Sequence, residues 1–256
     1  MKLAKLFLAA ALFAGFSASY AAQPKVVAHR GYWDTPGSAQ NSIRSLVKAD
    51  SIGCYASEFD FWATADSVLV VNHDPTINGY VIEQTPSSVI LQQKLSNGEY
   101  IPTVEQYFQA AAPLKINLVC ELKPHDGNAL ERHAIAKVLE LVKKYGLEDR
   151  MSYITFSKNG FVNLCKSKDI PKGTSIQFLN GDFLPEQIKF MKGTGIDYSI
   201  KAMRKHPEWF KECHDLGLTV NVWTVNKPED MQWCIENGAD FITTNDPEGL
   251  MKMLAK

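Results

Sequence analysis

Short apolar runs alternate with longer segments whose apolar residues recur every three or four positions, from residue 25 to the end of the chain. The short runs read as strands at 25–29, 55–62, 68–73, 116–122, 152–156, 174–178, 196–200, 219–225 and 240–243. The longer segments read as helices. After position 41, Ile43, Leu46 and Val47 share one helical face, and Asn41 or Ser42 stands where a cap is needed. A long helix is predicted from 128 to 145, stopped by Gly146. Further helices begin near Asn159, Leu184, Pro207, Pro228 and Pro247.

Strand and helix in regular alternation imply a parallel sheet with helical crossovers. The runs at 55–62 and 68–73 are too close for a crossover and predict a hairpin with a tight turn near Ala65-Asp66-Ser67. With 68–73 set aside as an extra arm, eight strands remain, enough to close a (β/α)8 TIM barrel. An open doubly wound sheet is the alternative. It is disfavoured because no glycine-rich turn follows the first strand. Residues 75–102 break the rhythm with the turn signals Asn78-Gly79, Pro86-Ser87-Ser88 and Asn97-Gly98. They predict a small insertion over the barrel mouth, with Tyr80 and Tyr100 placed to pack or to meet substrate.

The first residues follow a different pattern. Lys2 and Lys5 precede an apolar run over 6–16, short of the ~20 residues a spanning helix needs. Ser19-Tyr20-Ala21 then offers a small-x-small cleavage site. Residues 1–21 therefore read as a secretory signal removed after Ala21, and 22–256 as one exported domain, periplasmic or secreted, with no stable membrane insertion. A formal net charge of −1 implies no general attraction to nucleic acid. Cys54, Cys120, Cys165, Cys213 and Cys234 lack CxxC spacing, and an odd number cannot all pair, so buried free thiols are expected.

Strand parity brings the reactive residues together. Side chains alternate along a strand, so Glu58 and Asp60 share a face opposite Phe59 and Phe61. Glu121 and Lys123 share a face opposite Cys120 and Leu122, and Asn221 and Trp223 oppose two valines. Gln177 is a further inward candidate. A two-residue turn at 65–66 or 66–67 would set His73 directly across from Glu58 or Asp60. Three buried carboxylates are costly as bare anions. Either their pKa values rise or a divalent cation joins them, and an all-oxygen donor set suits Ca2+ or Mg2+. Arg30 and Lys123 beside such an ion fit a phosphate group. His29 and His73 can serve as acid and base on its ester oxygens. Among the other histidines, His125 is expected at the surface of a loop, and His133, His206 and His214 on helices.

The chain resembles the glycerophosphodiester phosphodiesterases. The resemblance rests on His29-Arg30-Gly31, Gln40-Asn41-Ser42, Glu58-Phe59-Asp60, His73-Asp74-Pro75, Cys120-Glu121-Leu122-Lys123, Val222-Trp223-Thr224-Val225 and Thr243-Thr244-Asn245-Asp246-Pro247, in that order. It implies a TIM barrel with a small insertion after the His73-Asp74 strand. It implies His29 and His73 as general acid and base, Glu58, Asp60 and Glu121 as metal ligands, and Arg30 and Lys123 as phosphate-binding. Trp223 would pack on the glycerol part. The substrate would be a small glycerophosphodiester from deacylated phospholipid, cleaved to glycerol 3-phosphate and an alcohol. One departure stands out: the family's usual Pro-Glu-Asn-Thr is Ala39-Gln40-Asn41-Ser42 here, so Gln40 replaces a charge and could bind a metal-bound water or a substrate hydroxyl. A related phospholipid phosphodiesterase or lyase, or a barrel that binds without turnover, are the other functions this set allows.

Overall fold

The computed structural model describes residues 23–255. Eight parallel strands close on themselves: β1 (Lys25–Ala28), β2 (Ala56–Ala63), β6 (Asn117–Leu122), β7 (Met151–Thr155), β8 (Ser175–Phe178), β9 (Gly195–Ser199), β10 (Thr219–Trp223) and β11 (Phe241–Thr244). Pairing of β1 with both β2 and β11 completes the barrel. The expected TIM barrel is thus present, with the first and last barrel strands side by side. The antiparallel arm β3 (Leu69–Val71) extends β2, as the hairpin reading requires.

The helices lie where period and caps place them. Ser42 caps α1 (Ile43–Ser51) by accepting from Ser45 N. Asp246 does the same for α10 (Pro247–Leu254) from Gly249 N. The long α4 (Asn128–Lys144) ends just before Gly146, whose φ of 63° suits the chain reversal. Helix α3 (Val104–Ala111), opened by a Thr103–Gln106 capping box, and the short α7 (Ile200–Lys205) were not expected. α5 (Lys158–Lys166), α6 (Pro185–Phe190), α8 (Glu208–Asp215) and α9 (Pro228–Glu236) complete the outer ring.

Two cores result. Outward residues of the strands, among them Phe59, Phe61, Cys120, Leu122, Val220 and Val222, pack under the helices. The barrel interior holds a smaller apolar set of Val27, Ala56, Val119, Ile154 and Leu179. The insertion contributes the small hairpin β4 (Thr76–Ile77) and β5 (Tyr80–Val81) and a helical turn, α2 (Ser87–Ile90). It has an apolar core of its own, with Ile77, Ile82, Ile90 and Ile101 against Trp62 and Val70. The insertion is therefore a packed element, fastened to the hairpin turn where Ser87 N and Oγ donate to Asp66. All five cysteines are free; Cys165 is half-buried and the others are buried. The leader predicted for residues 1–21 lies outside the described residues.

The hairpin register corrects the sequence reading. Phe61 pairs with Val71 and Ala63 with Leu69, so the turn holds three residues, not two. Ser67 takes a φ of 64°, the left-handed position that closes a three-residue hairpin. As a result Asn72 N donates to Asp60 O, and His73 falls one residue past Asp60, not directly across from either acid.

Candidate active site

The barrel register sorts the inward side chains into layers, because neighbouring strands are staggered and alternate strands fill each layer. Carried round the barrel, it puts Glu58, Ile154, Asp197 and Thr243 in one layer. His29, Glu121, Leu179 and Trp223 form the layer above, toward the C-terminal ends of the strands. All eight line one cavity of about 110 Å3, together with Arg30, His73, Phe156 and Thr224. A wider groove of about 880 Å3 beside the insertion has Glu99 as its one charged lining residue and none of these groups.

The charged side of the cavity is built by β1, β2 and β6. Glu58, Asp60 and Glu121 are buried, and one oxygen from each lies within 4.8 Å of the other two. Lys123 Nζ sits 2.8 Å from Asp60 Oδ1 and 2.7 Å from Glu121 Oε1. Arg30 Nε lies 3.7 Å from Asp60 Oδ2. Burial, then repulsion from the neighbouring acids, pushes the Glu58 carboxyl well above the usual range, and burial with Asp60 does the same to Glu121. Burial also works against Asp60, but Lys123, His73 and Asn41 outweigh it and hold its pKa low. Burial opposes the charge of Lys123, and the two acids outweigh that in turn.

Backbone geometry sets these groups in place. Arg30 and Gly31 have φ of 57° and 77°, left-handed values that turn the chain sharply after β1. A Cβ at Gly31 would run into the side chain and backbone of Ser45, so only glycine fits. The turn directs Arg30 N at Glu58 Oε2, 2.7 Å away. Asn41, also left-handed at φ 60°, grips Asp60 twice, donating to Oδ2 and accepting from the backbone N. Gln40 Oε1 accepts from Arg30 Nη1, so Gln40 steers the guanidinium and stands outside the carboxylate trio.

The two histidines differ. His29 Nδ1 donates to Asn245 Oδ1 at 2.7 Å, which leaves Nε2 unprotonated. Asn245 is itself held by its backbone N donating to Asn226 Oδ1, and it also accepts from Trp33 Nε1. Burial, then Arg30, lowers the His29 pKa to about 4. His73 is half-exposed, with Nδ1 2.7 Å from Asp74 Oδ1, and burial lowers its pKa as well. Trp223 donates Nε1 to Asp197 O and meets Phe156 edge-on at 5.5 Å.

Sequence reasoning offered Asn41 only as a helix cap and left out Asn245 and Asp197 as individuals, although Asn41 and Asn245 stood inside quoted motifs. Alternation of Ile196, Asp197 and Tyr198 was the available signal for Asp197. His125 is a correction. It is buried, accepting from Ala63 N through Nε2 and donating through Nδ1 to Lys123 O, and so it braces the ends of β2 and β6. Gln177 and Asn221 are buried inside the barrel and bonded to Thr219 and Thr243.

A model of the glycerophosphoryl diester phosphodiesterase family matches residues 15–249. The chain belongs to that family. Like other glycerophosphodiester phosphodiesterase-family barrels, it has solved relatives. A glycerophosphodiester phosphodiesterase from Parabacteroides distasonis is 44% identical, with a TM-score of 0.88 over 91% of this chain and 97% of that one. A glycerophosphodiester phosphodiesterase of Caldanaerobacter subterraneus is 27% identical over 251 residues, 90% of this chain and 98% of its own. The fold also matches an Oleispira antarctica phosphodiesterase solved with sn-glycerol-3-phosphate, at 21% identity and a TM-score of 0.80, covering 91% and 98% of the two chains.

Proposed function

We propose that this protein hydrolyses glycerophosphodiesters to glycerol 3-phosphate and an alcohol, using a divalent cation and the His29–His73 pair. The observation that carries the reading is the buried trio Glu58, Asp60 and Glu121, paired with Lys123 and Arg30, at a small cavity that Glu58, Glu121, Arg30 and both histidines line. Family membership and the names of the relatives support the same substrate class.

The donor set suits a hard cation. Three carboxylate oxygens converge, Glu58 Oε1 is buried with no hydrogen-bond partner, and two of the acids are pushed toward neutrality by burial and then by the neighbouring acids. Glu58, Asp60 and Glu121 would hold Ca2+ or Mg2+, whose positive charge compensates the acids and draws charge from a phosphoryl oxygen. The protein's own groups do the rest. Arg30 and Lys123 bind and orient the phosphate. His29 Nε2, kept unprotonated by the bond to Asn245, takes a proton from the water that attacks phosphorus. His73, aligned by Asp74, holds a proton for the departing alcohol oxygen. Phe156 and Trp223 exclude water from the far side. We also propose export, on the support of Lys2, Lys5, the apolar run at 6–16 and the small residues after it; N-terminal sequencing of the protein recovered outside the cytoplasm should begin at Ala22.

The test is one panel: glycerophosphodiesters of different head groups, with Ca2+, Mg2+ or chelator, and phosphorus NMR of the products. Glycerol 3-phosphate that vanishes on chelation and returns with metal is expected. Activity that survives thorough metal removal would remove the cation from the reading. A cyclic phosphate as final product would make the enzyme a lyase, and tight binding without turnover would leave a binding protein.

A further inference from the structure

Asp197 has no part in the chemistry above, yet it occupies the cavity floor. It is 1% exposed, and its Oδ1 is buried without a hydrogen-bond partner. The barrel register sets it in the same layer as Glu58, four strands away and so across the barrel axis from it. Its surroundings in the cavity are Ile154, Phe156, Leu179, Trp223 and Thr243, with no cation among them. Arg30, which lines the cavity, and Lys123 behind it are engaged with Asp60 and Glu121 on the opposite wall.

A buried carboxyl with an unpartnered oxygen is a poor structural choice, since an apolar or amide side chain would avoid the desolvation cost. It makes sense as a polar contact that waits for a ligand. We propose that Asp197 is a specificity-determining residue that binds a hydroxyl of the substrate's glycerol group. The inference rests on the glycerophosphodiester reading above. Burial, offset in part by the Asn221 amide, raises the Asp197 pKa to about 8, so its carboxyl is largely protonated near neutrality and can both donate to and accept from a neutral hydroxyl. A cationic head group would be better served by a carboxylate kept ionised. The rest of this wall matches a polyol too: Trp223, pinned through Nε1 to Asp197 O, offers a flat apolar face to the carbon chain. Phosphate held by Arg30 and Lys123 would then leave the glycerol to span the cavity from the charged wall to the floor.

The experiment is a cycle between side chain and substrate. Full-length enzyme, D197N and D197L are assayed with glycerophosphoethanolamine and with its two analogues lacking one or the other free glycerol hydroxyl. In wild type, loss of the bound hydroxyl should cut kcat/KM about tenfold or more, mostly through KM. In D197L that analogue and the parent should differ by less than about threefold, because the partner is gone. D197N, which keeps a donor and an acceptor, should restore discrimination, and thermal melts should show both variants folded. If neither hydroxyl is coupled to position 197, or if D197L slows all three substrates equally, Asp197 is not the glycerol contact. If wild type cleaves none of them while still folded, the failure belongs to the proposed function and not to Asp197 alone.

Discussion

The two walls of the cavity are built on opposite physical terms. On β1, β2 and β6, every inward group near the mouth is ionic or bonded to one that is: His29, Arg30, Glu58, Asp60, Glu121 and Lys123. On β7 to β11, the wall is Ile154, Phe156, Leu179, Trp223 and Thr243, with Asp197 as its sole acid among the described residues. The charged wall tolerates its crowding because Lys123 bridges two acids and Asn41 holds the third side of Asp60. The neutral wall has no cation to match, and the Asn221 amide only partly offsets burial, so its one carboxyl tends to keep its proton. In the proposed reaction, chemistry would fall to the first wall, where preorganised charge would meet a phosphate. Selection would fall to the second, where shape and a single polar contact would meet the carbon chain.

Breaking the charged wall should have the largest effect. His29→Ala or His73→Ala should lower kcat by about 10^2–10^4 with little change in melting temperature, as expected for loss of a proton-transfer group; near-wild-type turnover in either variant would remove that histidine from the mechanism. Glu58→Gln should abolish the heat of Ca2+ or Mg2+ binding in calorimetry, and metal should raise the melting temperature of wild type but not of the variant. Equal binding by both proteins would separate Glu58 from the cation site.

The neutral wall should respond differently, through stability and KM. Asp197 has an ordinary pKa of 3.8 and a folded value of about 8. The unfolded chain therefore releases this proton near pH 4 while the folded chain keeps it, so the contribution of Asp197 to stability is greatest at low pH and declines as pH rises from about 4 to about 8. D197N does not titrate, and its stability relative to wild type should grow through that window, on the order of a few kcal/mol. Parallel denaturation curves at pH 4 and pH 8 would show that Asp197 titrates normally. The smallest effect is expected from Phe156→Leu, which keeps the wall apolar: steady-state kinetics should give a few-fold rise in KM and an unchanged kcat.

Much of this arrangement was legible along the chain. Period two in the strands put Glu58, Asp60, Glu121 and Lys123 on one side and Phe59, Phe61, Cys120 and Leu122 on the other, because the pleat leaves a side chain no third choice. Alternating strands and helices implied the barrel, because parallel strands need crossovers. Local rules also narrowed the first cap to Asn41 or Ser42, and the structure gives it to Ser42. They did not locate the hairpin register. That depended on Ser67 adopting a left-handed conformation, a choice usually advertised by glycine or asparagine, and on Asp66 being held by Ser87 from the insertion.

What the sequence determined by itself is therefore parity, order and chemistry: which residues could react, and which face each would take. What only the tertiary structure decided is partnership across distance. Asn245 meets His29 although 216 positions separate them, Asn41 grips Asp60, and His125 turns inward to brace two strands. Asp197 comes to face Glu58 for the same kind of reason. Closure of the barrel, with its strands staggered, sets which side chains share a layer, and that is a property of the closed sheet as a whole and not of any single strand.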